Sequence, residues 1–208
     1  MKKIILTLTA VLCAAALCSA QNIPLPAPQK TGGKPVLESL WERQSLNEFS
    51  ATPLSDQDLS NLLFAAIGVN RENGKLTSPT ASNRQEIRVF VFTSECVCEY
   101  INKENSLKPV AAGDHRDIVA GRQEWVKSAP IVLVIVADGN IYGNTDERAR
   151  TMMAVDAGIV SENINLFCAA TGLATRPRAS MDAAAIKALL GLDENQNPIL
   201  NSPVGYRN

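Results

Sequence analysis

The chain has 208 residues, 46% of them apolar, which suits a single domain large enough to bury its own core. Its formal net charge is −1 and it carries no basic block or stripe, which excludes a nucleic-acid partner. The opening "MKKIILTLTAVLCAAALCSAQ" places Lys2 and Lys3 before an apolar run from Ile4 to Leu17 and a small-x-small ending, Cys18-Ser19-Ala20. That pattern predicts a signal peptide over residues 1–20, cleaved after Ala20, because the apolar run is shorter than the roughly 20 residues that span a bilayer. Leu12 and Leu17 stand before the two cysteines where a lipoprotein needs a small residue. The expected product is periplasmic or otherwise exported, with no stable membrane insertion after cleavage. It keeps 18 basic and 21 acidic residues, a net charge of −3.

Residues 21–35 form a Pro- and Gly-rich arm that should be extended. A domain over 36–208 follows. "VLESLWERQ" puts Val36, Leu37, Leu40 and Trp41 on one helical face. "LSDQDLSNLLFAAIGV" begins a second helix with Ser55 as N-cap and Asp58 three residues on, aligns Leu59, Leu62, Leu63 and Ala66, and should stop near Gly68. "EIRVFVFT" and "APIVLVIVAD" read as strands, the second so continuously apolar that both faces must be covered. Between them lie a hairpin around "VCEYINKENSLKPV" and a helix around "RDIVAGRQEWVK". "ERARTMMAVDAGIVSENINLFCAATGL" carries apolar residues on more than one side and predicts a central, largely buried helix. On it, Asn163 shares a face with Asp156 and is expected to satisfy neighbouring backbone. "MDAAAIKALLGL" is a last short helix starting near Asp182, and "NPILNSPVGYRN" a short closing strand. Irregular alternation of helices and strands argues for an α+β sandwich rather than a doubly wound sheet.

Chemistry-bearing motifs are scarce. His115, the one histidine, has no Gly-x-Ser-x-Gly elbow and reads as a turn residue rather than the base of a hydrolase. No cluster offers the three or four ligands zinc requires, and neither a dinucleotide fingerprint nor a P-loop occurs. Cys96, Cys98 and Cys168 remain after cleavage, an odd number that excludes a fully paired disulfide framework within one chain. Cys96 and Cys98 share a strand face, as small hydrophobes or as a metal or redox pair. Arg43 and Ser45 end the first helix, where a guanidinium and a hydroxyl suit a phosphate, though an arginine there also suits an ordinary solvated helix end.

The order of "LWERQSLNEF", "NGKLTSPTASNRQEI", the apolar strand after "WVKSAP", "DAGIVSENINLFCAATGLAT" and "PVGY" resembles the nitroreductase family of FMN-dependent oxidoreductases, specifically its short exported branch. The resemblance covers about residues 23–207. It implies a nitroreductase-like fold, a central mixed or antiparallel sheet packed with helices, and an intertwined homodimer with FMN between the subunits. It implies an oxidoreductase that passes hydride or electrons from NAD(P)H or an extracytoplasmic donor to nitroaromatic, quinone or similar acceptors. No side chain is assigned as a catalytic acid or base, since the flavin brings its own chemistry.

Carried over residue by residue, the resemblance implies that Arg43 and Ser45 bind phosphate, with Gln44 and Asn47 flanking them. Pro79, Thr80, Ala81 and Asn83 would be contributed to the flavin ring and ribityl chain by the partner subunit. Pro177, Arg178, Ala179 and Ser180 would lie over the flavin, with a backbone N–H reaching its reactive nitrogen. Gly205 and Arg207 would close the site, and Gln123 is a further candidate. Gln44 stands where the family carries an arginine, Asn47 where it carries a basic residue and Thr80 where it carries a serine. Two missing charges motivate an alternative reading, a non-catalytic flavin- or ligand-binding protein on the same fold.

Overall fold

The computed structural model describes residues 21–208; the signal peptide expected over residues 1–20 lies outside the described residues. The strands are β1 (Ile23–Pro24), β2 (Ile87–Phe92), β3 (Cys96–Ile101), β4 (Ser106–Ala112), β5 (Ile131–Asp138), β6 (Leu173–Thr175) and β7 (Gln196–Tyr206). They form one seven-stranded sheet in the order β1-β4-β3-β2-β5-β7-β6, antiparallel at every pairing. The helices are α1 (Val36–Glu42), α2 (Asp56–Ile67), α3 (Arg116–Ala120), α4 (Gly139–Tyr142), α5 (Glu147–Thr171) and α6 (Ala183–Leu190). The architecture is α+β.

β5 sits at the centre, and all eight of its residues are buried. Ile131, Leu133, Ile135 and Ala137 face a core shared with α2 and α5, while Val132, Val134 and Val136 face a second core shared with α3 and α6. Helices cover both faces, so the strand needs no polar alternation. The central helix α5 is capped at both ends. The Asp146 carboxylate accepts from Ala149 N at 2.8 Å, and Gly172 turns out of the helix at φ 76°. At α2 the Ser55 hydroxyl oxygen accepts from Asp58 N and donates to Asp58 Oδ2 at 2.7 Å. Tyr206 adds a long-range tie there: its hydroxyl donates to Asp58 Oδ2 at 2.6 Å and accepts from Ser55 N at 3.1 Å.

Several elements differ from the sequence reading. The helix expected around residues 116–127 is broken at Gly121, whose φ of 56° and ψ of −121° suit glycine alone. It becomes α3 and a separate 3-10 turn, Glu124–Ser128. The closing strand is long, eleven residues, because β7 is paired on both sides. The extended arm adds strand β1 to the sheet edge, with Ile23 opposite Leu107. The apolar face expected on α1 is present but uncovered: Val36, Leu37, Leu40 and Trp41 are 64%, 72%, 53% and 91% exposed.

Candidate functional site

The predicted residues fall into two groups on different parts of the chain. The first gathers about β6. Arg43 ends α1, and the strand-like segment after it is anchored by Leu46 N donating to Thr175 O at 2.9 Å. Gln44, Ser45 and Asn47 are exposed along that segment, with Arg43 half-buried. On the other side of β6, Gly205 is paired with Ala174, and Arg207 Nε donates to Leu173 O at 3.3 Å. Gly205 has no room for a side chain, since a Cβ there would come within 2.6 Å of Pro130 Cδ and 3.2 Å of Phe49 Cβ. The segment Pro177–Ser180 continues from β6 and leaves Ala179 and Ser180 exposed.

Arg178 turns inward. Its guanidinium, 7% exposed, donates to Gln123 Oε1 (3.0 Å), Val119 O (3.2 Å), Asn201 Oδ1 (2.7 Å) and Ala120 O (3.1 Å). Its backbone N–H donates to Asn201 O at 2.8 Å, so an N–H offered to a ligand from this segment comes from Ala179 or Ser180. Gln123 is thereby occupied in orienting Arg178. Burial first, and the neighbouring Arg176 second, lower the pKa of Arg178. Arg176 and Arg178 both lie over the Trp125 ring, at 5.7 and 5.5 Å, and Phe49 stacks on that ring at 6.3 Å. Sequence reasoning missed this aromatic shelf; its two rings are 76 positions apart in the chain. Among the described residues, none of Arg43, Arg176, Arg178 and Arg207 is in an ion pair.

The second group is the lip from Ser78 to Glu86. Pro79 and Asn83 are exposed, and Thr80 and Ala81 half-buried. Ala81 N donates to Asp156 Oδ2 at 2.8 Å, and Gln85 N to Thr80 Oγ1 at 2.8 Å. Asp156 lies 15 residues before the end of α5, about 22 Å along a helix rising about 1.5 Å per residue. β6 begins just beyond that end.

Elsewhere, Asn163 Nδ2 donates to Ala65 O at 3.0 Å, the backbone role expected of it. His115 sits in the turn before α3, its Nε2 2.9 Å from Ala112 O. Cys96 Sγ and Cys98 Sγ are buried 3.6 Å apart. Among the described residues no group of three or more His, Cys, Asp or Glu side chains is placed to hold a metal, and no helix is long and apolar enough to cross a membrane.

The antiparallel sheet and its helical layers define an α+β fold. The chain belongs to the nitroreductase family, whose model matches residues 40–206. It is 30% identical over 181 residues to MJ1384 of Methanocaldococcus jannaschii, a nitroreductase by name, across 81% of this chain and 89% of that protein. It is similar to the crystal structure of a protein from Ralstonia eutropha JMP134, also designated a nitroreductase, with a TM-score of 0.83, 32% identity and 91% of each chain covered. The fold is shared with the NADPH:FMN oxidoreductase of Vibrio harveyi, TM-score 0.63 at 22% identity over 83% of this chain and 69% of that one.

Proposed function

We propose that this protein is an FMN-dependent oxidoreductase of nitroreductase type that works outside the cytoplasm as a homodimer. The observation that carries the reading is that Arg43 and Arg207, both partly exposed about β6 and in no ion pair among the described residues, lie beside exposed hydroxyl and amide groups. Such a surface suits a ligand with a phosphate at one end and a ring rich in hydrogen-bonding atoms at the other. Arg43, Ser45 and Arg207 would hold the phosphate, with Gln44 and Asn47 as neutral polar contacts. Ala179 or Ser180 would turn an N–H towards the ring, on a segment that Arg178 and Gln123 hold in place. Bound there, FMN would supply hydride transfer from a reduced donor, NAD(P)H or an extracytoplasmic carrier, to a nitroaromatic, quinone or similar acceptor.

Support for the dimer comes from the placement of the two groups: the lip is tied to the middle of α5, whereas the arginines gather about β6, which follows the end of that helix. A second copy would bring its own Pro79, Thr80, Ala81 and Asn83 to the arginine group. The uncovered apolar face of α1 is the surface for that docking, since a contiguous exposed apolar stripe on a folded domain marks an interface.

Two measurements test these points. Residues 21–208, incubated with FMN and passed through gel filtration, are expected to retain one flavin per chain and elute as a dimer. Arg43→Ala should weaken FMN binding about 10- to 100-fold, the loss of one charge-assisted contact of about 1.5–3 kcal/mol. A folded protein that elutes colourless, or full retention by the variant, counts against the site. Trp41→Glu with Leu37→Glu should yield a folded monomer that has lost its flavin; a wild-type protein that is itself monomeric and flavin-loaded would refute the shared site.

A further inference from the structure

Glu86 joins the lip to β2, and its side chain is sealed completely, at 0% exposure. Apart from the residue's own backbone N–H, which lies close enough to favour the charged form, no N–H or O–H group among the described residues reaches either carboxyl oxygen. The group that faces it is another carboxyl, that of Asp156 on α5, within hydrogen-bonding reach and itself 4% exposed. Two carboxylates cannot both stay ionised at such range away from water. Arg84 is the cation whose charge bears on Glu86. Its guanidinium is engaged elsewhere, donating to Tyr142 O and lying 5.0 Å over the Tyr142 ring. From the neighbouring strand, Asp138 offers only its backbone N–H, which donates to Glu86 O at 3.0 Å; its carboxylate turns to Arg88 and Gln196.

The lip that this pair anchors is strained. Ser82, Asn83 and Gln85 all have left-handed backbones, with φ of 54°, 54° and 56°, where side-chain-bearing residues are disfavoured. Ser78 Oγ, at the other end of the lip, is also sealed without a partner. What holds the centre of the lip to the protein is the bond from Ala81 N to Asp156 Oδ2.

We propose that Glu86 and Asp156 share a single proton, and that this bridge is the clamp that positions the 79–83 lip on the central helix. Protonated Glu86 donates its O–H to the Asp156 carboxylate. Asp156 keeps its charge and accepts the Ala81 N–H as a charge-assisted bond. When the proton leaves to solvent, two sealed carboxylates face each other, Asp156 is pushed away and the lip is released. Burial first, then the hydrogen bond and charge of Asp156, raise the pKa of Glu86 to about 7, which puts the release near neutral pH. Glu86 and Asp156 are positioning residues. The clamp is a property of the chain alone; its effect on flavin binding rests on the function proposed above.

The test uses the flavin-free protein. Amide exchange at Ala81, normalised for the intrinsic rate, should show constant protection below about pH 6 and lose protection about tenfold per pH unit above about pH 8. Glu86→Gln, which keeps a neutral donor towards Asp156, should make that protection independent of pH. Flat protection in the wild type, or an unchanged pH profile in Glu86→Gln, overturns the clamp. Isotope-edited infrared spectra of the wild type provide a check that needs no variant. A protonated carboxyl band from a labelled glutamate should be present at pH 6 and titrate away near neutrality, and its absence at pH 6 overturns the shared proton. FMN affinity should fall over the same pH range. A lip that opens with pH in a protein that binds FMN at no pH leaves the clamp established and removes the flavin reading.

Discussion

Arg178→Met is expected to cost about 3 kcal/mol or more of folding stability, because each buried acceptor left without its donor costs about 1–3 kcal/mol. The guanidinium is bonded to four acceptors, two of which, Val119 O and Ala120 O, are carbonyls of the last turn of α3. A helix end leaves such carbonyls without intrahelical partners, and a cation there completes them. Methionine fills part of the volume but strands both carbonyls and the side chains of Asn201 and Gln123. Lysine does not restore them, because one ammonium cannot reach four acceptors fixed around a planar fork. Urea unfolding of the wild type, Arg178→Met and Arg178→Lys measures the loss. Arg176→Met is the control: its side chain is exposed, and the variant should stay within about 1 kcal/mol of wild type. Equal stability of the two methionine variants would show that the buried network contributes nothing.

Stability should also fall as pH rises through the range where most proteins are steadiest. The folded pKa of Glu86 is raised to about 7 from an ordinary value of 4.5. Its contribution is therefore complete below about pH 4.5 and is lost as pH rises through about 7, a change of at most about 3 kcal/mol. Asp114 acts in the opposite direction: its hydrogen bond with Arg116 lowers its pKa, so its contribution is lost as pH falls through that lowered value. Between these two losses the expected optimum lies near pH 4, and stability declines steadily from there to pH 7. Glu86→Gln should remove the fall on the alkaline side and exceed the wild type by about 2–3 kcal/mol at pH 8. Denaturant midpoints at pH 5, 6, 7 and 8 decide it, and parallel curves for the two proteins would place the pH dependence elsewhere.

The features legible in the sequence were those that local pattern dictates. An unbroken apolar run announced β5, because a strand covered on both faces has no polar side to show. The Ser55 and Asp58 spacing announced the start of α2, since a cap is a contact within one turn. Periodicity also grouped Val36, Leu37, Leu40 and Trp41 correctly, yet it reports which residues share a face and not what covers that face. Gly121 was visible, but its left-handed break was not, because glycine is tolerated in both conformations. The candidate ligand residues came from family likeness rather than from pattern. Their physical setting needed the fold: nothing about Arg178 in "RPRAS" says that its side chain turns inward, and Glu86 and Asp156 are 70 positions apart.

β7 lies between β5 and β6 and pairs with both, and its Tyr206 ties back to the start of α2. A polypeptide emerging N-terminus first must therefore wait for residues 196–206 before the sheet can be completed. Until then β5, apolar on both faces, is paired with β2 alone and presents an open edge to any other chain nearby. The unfinished chain is an aggregation hazard in a way the finished one is not. Whatever compartment it matures in, this edge stays open until residues 196–206 pair with it.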